Sequence, residues 1–374
     1  MEFLQVFLFF FSLLRIFFFV FSKNDYLCKK KMELLISLII PVYKVEKFIA
    51  ECVKSVMDQT YDYFECIFVD DKTPDNSIQI AEQLIERYQG NIKFDILHHD
   101  VNKGLPNARN TGIKHATGQY VMFLDSDDTL TPYAIQTMID IISQYKGVDL
   151  VQCGIHDDKR KIYDITLLPS FLDRCHSIFY EFINNHIPWM VHGKLVRMDF
   201  IRNMDLLFDE KILIHEDLYW SYFICQKAST FASSPTIVYN YNTNNVDSIM
   251  QQSELNFQRS AHYYIVIINR LLSHIDKENY TDNRMFLLNF FFYVAECIRQ
   301  SYDITPETNK AFTKLRYRFL FGAIRKVNLF EILYDSHLFM PFCKLLNVIQ
   351  YRRTIIYKFE KLACWYYRNI LHLR

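Results

Sequence analysis

Glycine is scarce. The 374 residues include only eight, and no two stand in a GxG arrangement. A dinucleotide-binding fingerprint and a Walker-type phosphate loop both need closely spaced glycines, so both are excluded. The nine cysteines are scattered and never form CxxC. That argues against a zinc cluster or a disulfide framework, and for a reducing compartment. An excess of one charge is also missing, because 42 Lys and Arg balance 42 Asp and Glu. The balance offers no support for a nucleic-acid partner. What the chain does have is apolar residues, at 51%. Its length allows one large domain or two ordinary ones.

One apolar run is long. Residues 3–21, FLQVFLFFFSLLRIFFFVF, could cross a bilayer, and Lys23 and Lys29 to Lys31 follow it. Read as an anchor, the run keeps the remainder cytoplasmic by the positive-inside rule. Read as a phenylalanine-rich low-complexity tract carrying Gln5 and Arg15, it precedes a true start at Met32. No small-residue cleavage site follows, which disfavours a signal peptide.

From Leu34 onward strand and helix patterns alternate. Strands are predicted over 34–43, 64–71, 93–99, the YVMFLDSDD run from Tyr120, and 149–155. Helices are predicted over 46–60, 75–88, 105–116 and 131–145. Asp75 is the expected N-cap of the second helix, and Thr131 of the fourth, with Pro132 at its first position. The first helix places Phe48, Ile49, Cys52, Val53 and Val56 on one face. Such alternation predicts an α/β fold, a mostly parallel sheet flanked by helices. Further on, 188–204 and 216–229 read as helices and 237–242 as a short strand. From Glu254 the pattern is helical.

Ligands of open α/β sheets bind beyond the carboxyl ends of the strands. Two acid clusters converge there: Asp70 and Asp71 close the second strand, and Asp125, Asp127 and Asp128 the fourth. Carboxylates this close repel one another unless a cation sits among them. Mg²⁺ and Mn²⁺ prefer hard oxygen ligands and often bridge one or two carboxylates to substrate phosphates. The pattern therefore predicts a metal–diphosphate site.

The runs LISLIIPVYKVEKFIAECVKSVMDQTYDYFECIFVDDKTPDNS and NKGLPNARNTGIKHATGQYVMFLDSDD resemble the nucleotide-sugar domain of the family 2 glycosyltransferases, which have the GT-A fold. The likeness is close over about 35–130. It continues loosely to about 250 through Lys194-Leu195, the HED at 215–217 and YNYNTNNVDSI at 239–249. The resemblance implies a Rossmann-type sheet and these roles. Pro41, Val42 and Tyr43 close the first strand, with Tyr43 on the nucleobase and Glu46 near the nucleotide. Asp71 receives the imino group of the base. Asn102, Gly104 and Arg109 line the diphosphate and ribose side. Asp125, Ser126 and Asp127 form the DxD, with Asp127 the direct ligand of Mn²⁺ or Mg²⁺, Asp125 beside it and Asp128 in support. Asp217 matches the catalytic base. His192 and His215 are expected as hydrogen-bonding neighbours rather than ligands. Two departures stand out: Lys44 where the family usually has Asn, and DDKTPDNS at 70–77 where it has DDGSTDNS.

The expected activity is inverting, metal-dependent transfer of a sugar from a nucleoside diphosphate donor, a UDP-sugar, to a saccharide or lipid-linked saccharide in cell-surface polysaccharide assembly. Rival readings are a nucleotidyltransferase and a non-catalytic sugar-nucleotide-binding partner subunit. PVYKVEKF is not the Gly-rich phosphate loop expected of the first rival, and intact DxD and HED motifs argue against the second. The expected organisation is an apolar segment over 1–31, the glycosyltransferase domain over 32–250 and a helical region over 251–374. In 341–374 seven Lys and Arg face one acid, with Trp365, Tyr366 and Tyr367 among them. That composition suits peripheral contact with an anionic membrane on its cytoplasmic side, or a core stripe with a solvated charged face.

Overall fold

The computed structural model describes residues 33–145, 147–157, 170–173, 178–183, 186–245, 248 and 257–274, with 306–308 and 310–311. The apolar segment over 1–31 and the basic tail over 341–374 lie outside them. The chain divides into two compact units, 1–303 and 304–374. No helix among the described residues is long and apolar enough to cross a membrane.

The first unit is built on a nine-stranded mixed sheet flanked by helices. β1 (Ile36–Val42) is buried at every position, as a strand covered on both faces should be. It pairs in parallel with β2 (Phe64–Asp70) on one side and β4 (Tyr120–Phe123) on the other. β3 (Lys93–His98) adds in parallel to β2. The crossovers are α1 (Ile49–Met57), α2 (Ser77–Ile85) and α3 (Leu105–His115). On α1 the buried face is Ile49, Cys52, Val53 and Val56, as the spacing predicts, whereas Phe48, predicted to join them, caps the helix and is partly exposed. α2 begins one residue later than a cap at Asp75 implies. Asn76 takes the cap position, and Asp75 instead accepts from the Ser77 N–H at 3.2 Å.

The run of neighbouring parallel strands is interrupted at β4, so the expected, mostly parallel sheet carries antiparallel strands as well. β6 (Leu150–Asp157) does not pair with β4. Between them lies β8 (Lys194–Arg197), antiparallel to both. This segment was predicted as part of a helix over 188–204. Only α6 (Met198–Asn203) is helical there. Pro188 and Gly193, the latter at φ +63°, break the helical pattern. The open edge of β4 then captures Leu195 and Val196 as a strand, a tertiary override of local propensity. β9 (Phe231–Tyr241) pairs with β6, with β5 (Thr129–Leu130) and with β7 (Phe171–Leu172). It starts six residues before its predicted beginning. Pro235 hides the early part, because it falls where the register with β6 slips. α4 (Ala134–Tyr145) starts three residues after its predicted cap, and Thr131 donates its hydroxyl to the Ile237 carbonyl. Three further helices lie among the described residues: α5 (Ile178–Ile183), α7 (Glu216–Lys227) and α8 (Phe257–Leu271).

At the amino ends of β1, β2 and β4 a buried carboxylate locks the sheet. Glu65 accepts from Ser37 Oγ at 2.6 Å, from the Thr117 N–H at 2.6 Å and from its hydroxyl at 2.8 Å, and from the Gly118 N–H at 3.2 Å. A Cβ on Gly118 would meet the Ser37 backbone nitrogen at 2.7 Å, so only glycine fits this approach. Burial alone would raise the Glu65 carboxyl, but these donors hold it below its ordinary 4.5. A lowered folded value stabilises above the unfolded pKa and is lost as pH falls through the folded one. Urea unfolding should therefore show stability declining as pH falls below about 4.5. Glu65→Gln should lower stability at pH 7 by about 1–3 kcal/mol and flatten that acid decline. An unchanged acid limb in the variant would show that the lock is elsewhere.

Candidate active site

The carboxyl ends of β1, β2 and β4 face one edge of the sheet, and the loops after them carry the acids. After β1, Lys44 adopts φ +55°, and after β2, Lys72 adopts φ +56°. These are the two departures from the resembled pattern. A left-handed conformation suits Asn and Gly better than Lys. Side chains hold the strained loops in place. The Lys44 N–H donates to Thr73 Oγ1 at 2.9 Å and the Thr73 N–H to Asp70 Oδ1 at 2.8 Å. Glu46 accepts from the Asn76 N–H and its side-chain amide, both at 3.1 Å. Tyr43 stands 40% exposed at the strand end, beneath which Pro41 and Val42 are buried.

Asp71 is buried and ties this half of the site to the start of α3. It accepts from the backbone N–H groups of Lys103 at 2.7 Å and Gly104 at 2.8 Å, and it pairs with His99 Nδ1 at 2.8 Å. Gly104 needs its freedom, with φ +88°. Asn102 is exposed on the same turn.

The second half is assembled around Arg109 of α3, which is only 1% exposed. Its Nη2 donates to Asp125 Oδ1 at 2.8 Å and its Nη1 to Glu216 Oε1 at 2.5 Å. The guanidinium lies against the rings of Phe123 and Phe208, 5.9 and 5.4 Å from their centroids. One buried cation thus joins the DxD loop after β4 to the first residue of α7. Burial by itself would lower the Arg109 pKa, but Asp125 and Glu216 raise it. Burial would raise Asp125, yet Arg109 and the hydrogen bond from His192 hold it well below the usual carboxylate range. Glu216 is different. Burial pushes it up to about 8, against the pull of Arg109. Asp217 follows it, half-buried, and accepts from the Leu218 N–H at 2.9 Å. Burial raises Asp217 as well, opposed by Arg109.

The remaining acids are held by the end of β9 and the residues that follow it. Asp127 Oδ2 accepts from Asn245 at 2.7 Å. Asp128 accepts from the Tyr239 hydroxyl at 2.6 Å and the Asn242 N–H at 2.7 Å. Burial raises the pKa of both, and the Asp125 charge adds to it. Ser126 is buried between them. His192, in the turn before β8, meets Asp125 Oδ2 at 2.9 Å and stacks on Tyr239 at 4.7 Å. Asp125, Asp128 and His192 bring one donor atom each within 4.8 Å of one another. Hard carboxylate oxygens, two of them on acids raised by burial and by the charge of Asp125, fit a divalent cation. His192, expected only as a neighbour, thus lies within this cluster, whereas Asp127, expected as the direct ligand, is not one of the three; His215 lies within 3.4 Å of the Tyr264 hydroxyl.

The structure brings Arg109, Asp125 and the HED segment together, and it sets Tyr43, Glu46, Asp71 and Asn102 along the β1–β3 side of the same edge. Sequence reasoning missed the supports: Glu216, Tyr239, Asn242 and Asn245. The signal was present, because the HED and YNYNTNN stretches contain all four. Nothing in the spacing showed that Tyr239, Asn242 and Asn245 reach back across more than 110 residues to the DxD loop, or Glu216 to Arg109.

A family model described as glycosyl transferase family 2 matches residues 37–201. The uncharacterized glycosyltransferase EpsJ of Bacillus subtilis is 34% identical over 49% of this chain and 54% of its own length. The chain thus spans about half of that relative. YibD of Escherichia coli, also an uncharacterized glycosyltransferase, is 27% identical over 78% of this chain and 88% of its own length. Among solved structures, Staphylococcus aureus TarS 1–349 in complex with UDP-GlcNAc superposes with a TM-score of 0.61 at 18% identity. The superposition covers 78% of this chain and 82% of that one.

Proposed function

From the premise that the chain carries a family 2 glycosyltransferase domain with the GT-A fold, we propose that it moves a sugar from a nucleoside diphosphate donor to a saccharide or lipid-linked saccharide hydroxyl, with inversion. The observation that carries this reading is the Arg109 fork. It holds the DxD aspartate and the HED helix as two walls of one site, the arrangement needed to activate a leaving group and a nucleophile together.

Each side chain then has a task. Asp217 takes the proton of the acceptor hydroxyl, and its raised pKa suits a base working near neutral pH. Attack opposite the leaving diphosphate inverts the anomeric carbon in one displacement. Tyr43 supplies an exposed ring for the nucleobase, over a floor of Pro41 and Val42. Asp71 fixes the turn bearing Asn102 and Gly104 on the diphosphate side, and Glu46 steadies the loop beside the nucleotide. Asp127 and Asp125 hold Mn²⁺ or Mg²⁺, with Asp128 and His192 at hand, and the cation's role when bound is to neutralise the departing diphosphate. A UDP-sugar is the proposed donor, in line with the UDP-GlcNAc complex of TarS. Cell-surface polysaccharide assembly, at the cytoplasmic side of the membrane, is the proposed setting. A relative of 26% identity, GgaB of Bacillus subtilis, bears the name minor teichoic acid biosynthesis protein.

A panel of UDP-, GDP- and TDP-sugars with Mn²⁺ tests the reading. Release of a nucleoside diphosphate is the expected result. Release of pyrophosphate would mean nucleotidyl transfer, and no response to any donor would leave the proposal without support. The metal assignment has its own measurement. By calorimetry, Asp127→Ala should weaken Mn²⁺ binding in the presence of UDP by at least about tenfold. Wild-type affinity in that variant would rule out Asp127 as a ligand.

A further inference from the structure

We propose that residues 187–193, the turn before β8, form a rigid acceptor platform on which the indole of Trp189 stacks against one face of the incoming pyranoside. The proposal rests on the reading of Asp125 as the donor side and Asp217 as the base.

Position is the first argument. His192 meets Asp125 Oδ2 at 2.9 Å. Three residues earlier, the Trp189 ring stands 6.0 Å from the ring of His215, edge to face. His215 is two residues before Asp217 and also stacks on Tyr264 of α8 at 4.2 Å. The turn therefore runs from the donor end of the site to the base end. An acceptor hydroxyl must lie within reach of both.

Construction is the second argument. Lys194 is 1% exposed. Its ammonium donates to the carbonyl of Pro188 at 2.5 Å and to that of Met190, the residues on either side of Trp189. Gln152 donates to the carbonyls of His192 and Gly193, both at 3.3 Å. Burying an ammonium without a carboxylate partner is costly, and here its hydrogen bonds fix the backbone around one side chain. Ile187, Pro188, Met190 and Val191 are buried, whereas Trp189 is partly exposed. The turn is thus anchored on four apolar neighbours, and the Trp189 ring, packed in part against the apolar core, leaves its remaining surface exposed.

Chemistry is the third argument. An indole face offers a large apolar area at little conformational cost and keeps a polar N–H at its edge. A pyranoside has an apolar C–H face and polar hydroxyls around its rim. Such sites combine apolar walls with a few placed polar groups, and here Asp217 and the DxD loop supply the polar groups.

The test uses the full chain with UDP and Mn²⁺, and methyl β-glucoside, methyl β-galactoside and methyl N-acetyl-β-glucosaminide as probes. Of the three tryptophans, Trp220 is wholly buried and Trp365 lies in the tail. At least one glycoside should quench tryptophan emission saturably, and Trp189→Phe should abolish the quench. Trp189→Ala should raise the acceptor KM by roughly 10- to 100-fold with UDP affinity unchanged, and Trp189→Phe should recover most of it. A quench by none of the three, a quench that survives Trp189→Phe, or a loss of UDP affinity in Trp189→Ala would overturn the platform. Quenching through Trp189 in a protein that turns over no sugar nucleotide would instead sink the proposed function and leave the platform standing.

Discussion

Asp217→Asn is expected to lower the turnover of sugar transfer by roughly 10²- to 10⁴-fold, the usual contribution of a positioned general base. The change is isosteric. The Leu218 N–H that Asp217 accepts at 2.9 Å keeps an oxygen partner, so α7 should begin unchanged. What disappears is the ability to take a proton. Donor affinity, measured by calorimetry with UDP and Mn²⁺, should stay near wild type, which places the loss in the chemical step. The wild-type rate should rise with pH through a value above the ordinary 3.8 of an aspartate, because burial raises Asp217 in spite of Arg109. If the variant turns over at the wild-type rate, the base lies elsewhere. Glu216 would be the next to examine, since its carboxyl sits near 8.

The second large effect concerns stability. Arg109→Met should destabilise the fold by about 3–5 kcal/mol, because the buried Glu216 and the partly buried Asp125 lose the guanidinium that joins them. Arg109→Lys should recover part of this. A single ammonium cannot reach both Asp125 and Glu216 in the planar fork that a guanidinium makes. The deficit should also depend on pH. Without Arg109, the Asp125 carboxyl loses the charge that lowers it and the Glu216 carboxyl, already raised by burial, rises further, so the folded variant binds a proton at Glu216 that the unfolded chain has released. Its stability then falls as pH rises. Urea unfolding of the variant and wild type at pH 5 and pH 8 should show the larger gap at pH 8. An equal gap at both, accompanied by lost UDP affinity, would favour the diphosphate-side role that the sequence resemblance implies for this arginine.

Arg109 illustrates what a linear reading can miss. Its place in NKGLPNARN identified it as part of a site, but its partners lie 16 and 107 residues away. No spacing rule connects α3 to Glu216. The same holds for Asp128, whose hydroxyl donor Tyr239 is 111 residues on. The acids were legible because charge at the end of an apolar strand is locally anomalous. Their supports were not, because a tyrosine or an asparagine in a loop is locally ordinary.

Elements divide in the same way. β1 to β4 and their crossover helices follow from local pattern: runs of Ile, Val and Phe for buried strands, and a helical face such as Ile49, Cys52, Val53 and Val56. β8 does not. Lys194 to Arg197 have no strong preference, and Pro188 and Gly193 before them leave the segment undecided. The free edge of β4 made it a strand, and with it a mixed sheet.

By itself the sequence determined that acids would gather at the carboxyl edge of an α/β sheet, since apolar periodicity and strand-end charge are properties of neighbours along the chain. Only the tertiary structure decided which cation holds those acids, which strand enters the sheet beside β4 and which aromatic ring meets His215. Those choices depend on groups that meet only after the chain has folded, where burial makes each unpaired charge too costly to leave alone.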